Sequence, residues 1–179
     1  MNDPNWKLPD VPAFDLVSPD FKSGGILPQW ARSDIAGAGG EDRSPTLHWN
    51  GAPSGTKSFA LTVFDPDAPT GSGWWHWAVY NIPASVESLP QDAGSADGQL
   101  LPQGAITVPN ELRLPSYLGA APPAGHGEHR YVFTLSALDV ERLELPTDCT
   151  PAVLGFVLRD HIVARAQLVG HSRTESSES

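Results

Sequence analysis

The stretch that most constrains this chain is residues 59–83, FALTVFDPDAPTGSGWWHWAVYNIP. It begins with an apolar, β-branched and aromatic run, residues 59–64, of the kind buried on both faces of a sheet. The run stops at Asp65-Pro66-Asp67-Ala68-Pro69, where each proline removes a ladder donor and pushes the preceding residue towards extended geometry. Residues 70–73 are turn material, and a second strand, residues 75–82, runs back. Two carboxylates, Asp65 and Asp67, therefore stand at a strand end, with His76 near the start of the returning strand. A carboxylate facing an imidazole can fix the ring's tautomer and favour its charged form, so the trio is a candidate pocket floor. The same residues also suit a plain turn, with the aspartates bonding backbone amides and His76 packed between tryptophans.

Length and composition narrow the classes. At 179 residues the chain is expected to form one domain with a sizeable core. Eighteen prolines and seventeen glycines, with dispersed aromatics, point to a β-rich domain with long ordered loops. The formal charge of −10, from 21 acidic and 11 basic residues, argues against nucleic acid and against docking on anionic membranes. A single cysteine, Cys149, rules out an intrachain disulfide and suits a reducing cytoplasm, where the chain is expected. The opening MNDPNWKLPDVP lacks a signal-peptide pattern, and no stretch reaches the length of a membrane span.

Along the chain, residues 1–12 read as a lead-in, 13–171 as the domain and 172–179 as a polar tail. Strands are expected at 13–17, at 26–30 with a break at Pro28, at 44–49 and at 104–108. Alternation in the central returning strand puts Trp75, Trp77 and Val79 on one face, with His76, Ala78 and Tyr80 on the other. The loop 109–127 is long enough to suggest function. The strand 129–139, HRYVFTLSALD, places His129, Tyr131, Phe133, Leu135 and Ala137 on one face. Two polar-tipped aromatics thus begin a face that continues as core, as where a pocket opens at a sheet end. Thr150 and Pro151 form an N-cap and N1 pair that starts a helix carrying Val153, Leu154, Val157, Leu158, His161 and Ile162. The helix is expected to end near 164–166, with a short strand at 167–169 after it.

Two motifs now stand in order: Asp65-Pro66-Asp67-Ala68-Pro69 followed by Trp75-His76-Trp77, then Pro122-Pro123, Gly125-His126-Gly127 and His129-Arg130-Tyr131. With Ser44-Pro45-Thr46-Leu47-His48-Trp49 and the segment 161–166, they make the chain resemble the phosphatidylethanolamine-binding protein (PEBP) family, chiefly its bacterial Raf-kinase-inhibitor-like branch. The resemblance spans about residues 14–170. It implies a mainly β single domain with a large central sheet, a smaller second sheet and a C-terminal helix. It also implies a small surface cavity for phosphate, a phosphoryl headgroup or an acetate-like anion, without a cofactor. The matching positions are Asp65, His76, His129 and Tyr131, with Pro122 and Pro123 on the rim and Asp67 in the same motif. The family is regarded as binding or inhibitory, towards kinases and sometimes proteases. The rim segment departs from the family pattern: where relatives often read Asn-Asp-Xaa-Gly, this chain has Asn110-Glu111-Leu112-Arg113.

The residue chemistry is compatible on its own terms. His76, His129 and the Tyr131 hydroxyl can donate to an anion. Asp65 is expected to hold His76 from behind or to accept from a ligand amine or a protonated phosphate oxygen. Arg130 alternates away from these groups and is expected to pair with an acidic loop behind the sheet. Trp74, Trp75 and Trp77 read as packing residues, and His126 as either rim or turn. Two other readings use the same cluster: a hydrolase with a histidine base, which lacks a Gly-Xaa-Ser-Xaa-Gly turn, and a metal site of Asp65, His76 and His129, which lacks local ligand spacing. A homodimer is the base-rate expectation for assembly.

Overall fold

The computed structural model describes residues 3–176. Its centre is a six-stranded sheet in the order β2-β9-β8-β4-β5-β7. The strands are β2 (Gly25–Ile26), β4 (Ser58–Asp65), β5 (Trp74–Pro83), β7 (Ile106–Thr107), β8 (His129–Leu138) and β9 (Ile162–Ser172). A three-stranded antiparallel sheet, β1 (Asp15–Val17), β3 (Leu47–Asn50) and β6 (Ser88–Leu89), packs against one face. The mainly β class, the two unequal sheets and the helix near the C-terminus are as the sequence predicts.

The long strands form because both their faces find apolar partners. Phe59, Leu61, Val63, Trp77, Val79, Phe133 and Leu135 meet Leu16, Leu47 and Trp49 of the small sheet in one core. Ala60, Ala78, Tyr80 and Leu138 form a second core on the opposite face, beneath Leu143, Cys149 and the helix residues Leu154 and Leu158. A sheet covered on both sides needs near-continuous apolar runs, which is what β4, β5 and β8 supply.

Helix α1 spans only Pro151–Leu158, capped by Thr150, whose Oγ1 accepts from the Val153 amide at 3.2 Å. The expected continuation to 164–166 is incorrect: the chain turns at 159–161 and enters β9, eleven residues long. β9 pairs with β8 from His129↔Ser172 to Leu138↔Ile162. Along it Ala164, Ala166, Leu168, Gly170 and Ser172 are buried in alternation, so small residues fill the inward sites. Gly170 allows this closeness, because a Cβ there would lie 2.5 Å from the Leu27 side chain. Ser172, taken as the first tail residue, is instead the end of this strand and is buried.

The face assignment of His76 also needs correction. β4 and β5 pair Val63↔Trp77 and then Phe64↔Trp75, which skips His76. The extra residue is a β-bulge, and it turns His76 onto the face shared by Trp77 and Tyr131 rather than that of Ala78 and Tyr80. Its ring meets Tyr131 edge-on, with centroids 5.1 Å apart at 76°. Trp75, left on the outer side, stacks on Phe64 at 4.3 Å.

Candidate functional site

Three strand ends converge: the C-terminal end of β4 with Asp65, and the starts of β5 with His76 and of β8 with His129 and Tyr131. Above them lies a cavity of about 290 Å³. Asp65, His76, His129, Tyr131 and Pro123 all line it, joined by Ser33, Ile35, Trp74, Leu112 and Gly119 among others. Pro122 and Asp67 do not line it. Pro122 is buried. Asp67 is committed to Arg130, accepting from its backbone N at 2.9 Å, its Nε at 2.8 Å and one terminal nitrogen at 2.8 Å. That bidentate pair holds the Asp67 carboxyl below its ordinary range, with partial burial opposing. Arg130 therefore has the acidic partner the alternation implied.

Asp65 holds His129, not His76. Its Oδ2 accepts from His129 Nδ1 at 2.8 Å, between residues 64 positions apart, while its Oδ1 accepts from the Asp67 amide at 2.8 Å. His129 is almost fully buried, and its second nitrogen meets His126 Nδ1 at 2.6 Å. The result is a chain, Asp65–His129–His126, running from the floor outward to an exposed residue. Gly125 and Gly127 flank His126 with φ of 73° and 96°, the left-handed conformations that let the loop fold its ring back. His126, open between rim and turn in the sequence, is thus hydrogen-bonded into the cluster.

His76 is held by the long loop instead. Its Nδ1 lies 2.8 Å from the Leu118 carbonyl, and its own carbonyl accepts from the Leu118 amide at 2.8 Å. A carbonyl only accepts, so Nδ1 carries a hydrogen, and in the neutral ring Nε2 keeps its lone pair. Burial pushes the His76 pKa down, against the Leu118 and Gly119 carbonyls and the charges of Asp65 and Asp42, which pull it up. The net effect disfavours the charged ring.

Tyr131 is 2 % exposed, and its hydroxyl has no hydrogen-bond partner among the described residues. The Ala121 amide is near enough to favour its ionised form without making a well-aligned bond, and burial outweighs it by raising the phenol's pKa. A buried, unsatisfied hydroxyl costs on the order of 1–3 kcal/mol unless something pairs with it.

The wall opposite the floor rests on Gly119. Its amide donates to Asp42 Oδ1 at 2.8 Å, and the neighbouring Ala120 forms a parallel bridge to Arg32, with the Ser33 amide donating to the Ala120 carbonyl at 2.9 Å. Asn110, buried, ties the rim by accepting from the Leu112 and Leu114 amides through Oδ1, at 2.9 and 3.2 Å. Arg113 closes this turn at φ 63°, a conformation in which glycine would be unstrained. Sequence reading missed Asp42, Ser33 and Ile35, which sit in or near a glycine-rich loop with no motif, and Trp74, which lines the cavity rather than packing in the core.

Among the described residues no group of three or more His, Cys, Asp or Glu is arranged to hold a metal ion, and no helix is long and apolar enough to cross a membrane. The Ser33 Oγ accepts from the Ile35 amide at 3.0 Å and the Thr70 Oγ1 donates to the Gly73 carbonyl at 2.7 Å; among the described residues neither hydroxyl is hydrogen-bonded to an imidazole.

Comparison with known proteins agrees with this architecture. The chain is 44 % identical to the UPF0098 protein YbcL of Escherichia coli, over 87 % of this chain and 85 % of YbcL. It is 43 % identical to YbhB of the same organism, over 86 % of this chain and 96 % of YbhB. The crystal structure of E. coli YbcL, described as a new member of the mammalian PEBP family, superposes with a TM-score of 0.88 at 42 % identity, covering 90 % of this chain and 99 % of that one. The family profile described as phosphatidylethanolamine-binding protein matches residues 17–173. With that match running from β1 to just past β9, the chain belongs to the phosphatidylethanolamine-binding protein family.

Proposed function

We propose that the cavity binds a small oxyanion, phosphate or a phosphoryl headgroup, and that the protein works by binding rather than by turnover. The observation that carries this reading is the Tyr131 hydroxyl, buried and without a hydrogen-bond partner among the described residues, beside His76 at the floor of a cavity. A bound oxygen there would satisfy a donor that the folded chain leaves open, which offsets the cost of its burial. Binding is favoured over hydrolysis because, among the described residues, no histidine base is hydrogen-bonded to the lining hydroxyls of Ser33 and Thr70.

Titration with inorganic phosphate and with phosphoethanolamine, followed by the side-chain NMR signals of His76 and His129, tests the reading. Saturable shifts of both imidazoles at millimolar ligand are expected, with His48, exposed on the small sheet, unmoved. Uniform small shifts of every histidine, or none, would contradict a site at this cavity.

A further inference from the structure

The proton inventory of the floor narrows the ligand class further, on the footing that the cavity is an oxyanion site. Among the described residues no lysine or arginine lines the cavity. His129 has both nitrogens engaged, one by Asp65 and one by His126. His76 spends its one hydrogen on the Leu118 carbonyl, which leaves Nε2 as an acceptor. Tyr131 keeps a free donor. A fully deprotonated oxyanion matches this floor poorly. It has nothing to give His76, and it meets the charges of Asp65 and Asp42 that act on that ring. An acid group that still carries one O–H matches both positions, donating to His76 Nε2 and accepting from Tyr131. The mouth adds a second constraint. Ile35 and Leu112 line it while 47 % and 40 % exposed, beside Trp74, Pro69 and Pro123. An apolar rim around a polar floor suits an acid with an apolar substituent.

We infer that this cavity selects singly protonated oxyacids bearing an apolar group, such as phosphomonoester monoanions, and rejects oxyanions that have no proton to donate. The groups facing His76 and Tyr131 that bear on the pH dependence are Asp65 on β4, His129 on β8, Asp42 and Arg32 from the 30–43 segment, and Tyr117 from the long loop. Burial of His76 supports the inference, since it lowers the ring's pKa and disfavours the charged form.

The test is calorimetric titration of the full chain with phenyl phosphate, phenyl sulfate and glycerophosphoethanolamine at pH 6, 7 and 8. Phenyl phosphate has a second pKa of about 6, so roughly half carries a proton at pH 6 and about 1 % at pH 8. Its apparent affinity is expected to fall about 50-fold across that range. At pH 6 it is expected to bind about tenfold more tightly than inorganic phosphate, through burial of the ring on the rim. Phenyl sulfate and the phosphodiester are monoanions without an acid proton, and neither is expected to bind at any of the three pH values. Binding of phenyl sulfate that strengthens towards pH 6 would overturn the inference in favour of a charged His76, and pH-independent binding of phenyl phosphate would overturn it too. Binding of the diester would overturn it and identify a lipid-type headgroup as the source of the phosphate. Failure of all three probes and of inorganic phosphate would overturn the oxyanion reading itself, which separates the two claims.

Discussion

Tyr131→Phe is expected to make the empty protein more stable while weakening its hold on phosphate at least tenfold. The two effects share one cause. The hydroxyl is buried with no partner among the described residues, so deleting it removes a desolvated donor that the folded state does not satisfy. A gain of about 1 kcal/mol follows, which for a chain of this size raises Tm by roughly 2–4 °C. A hydrogen bond to a charged group contributes roughly 1.5–3 kcal/mol, so its loss from the complex corresponds to about 10- to 150-fold in Kd. Thermal unfolding with and without phosphate checks both halves. A variant that is less stable and binds unchanged would mean the hydroxyl is already satisfied and plays no part in the site. The opposite signs matter, because a general packing defect would lower stability and affinity together.

The second large effect is expected at Gly119. A Cβ there would lie 2.2 Å from the Arg32 carbonyl carbon, 2.4 Å from its oxygen and 2.4 Å from the Ser33 nitrogen. All three are backbone atoms, so no change of rotamer relieves the clash. The Arg32–Ala120 bridge must open, and with it the wall formed by Ser33 and Gly119. Gly119→Ala is expected to cost about 3 kcal/mol, at the upper end for overpacking, and to reduce phosphate affinity about tenfold or more. The same change at Gly155 meets open space inside α1 and is expected to stabilise by about 1 kcal/mol, as alanine does in a helix. Urea denaturation of both variants gives the comparison through their midpoints. Equal behaviour of the two would show that the close approach at Gly119 does not support the wall.

Much of this architecture is readable from residue order because burial on two faces leaves a continuous apolar trace. β4, β5 and β8 carry that trace within a residue or so of their ends. β9 does not. Apart from Leu168 its inward sites are Ala164, Ala166, Gly170 and Ser172, too small or polar to stand out, while Ile162 and the residues before it keep helical spacing with α1. Only pairing along the whole of β8 decides the matter. The site divides the same way. The identities of Asp65, His76, His129 and Tyr131 are written in two motifs, but who bonds whom is not. Asp65 and His76 are eleven positions apart and joined by one connection, which makes them look like partners; the sheet instead sets Asp65 beside His129, 64 positions away. The bulge at His76 depends on the register against β4, a property of two strands rather than of either alone. Asp67 shows the reverse case, a motif residue whose charge is consumed by Arg130 and does not reach the cavity.

The most direct measurement of the central claim is a crystal structure grown in phosphate. Tetrahedral density is expected at the floor, with one oxygen within hydrogen-bond distance of the Tyr131 hydroxyl and another at His76 Nε2. Phosphate found only elsewhere on the surface, with the Tyr131 hydroxyl bonded to a protein group and the cavity closed by its own side chains, would contradict it.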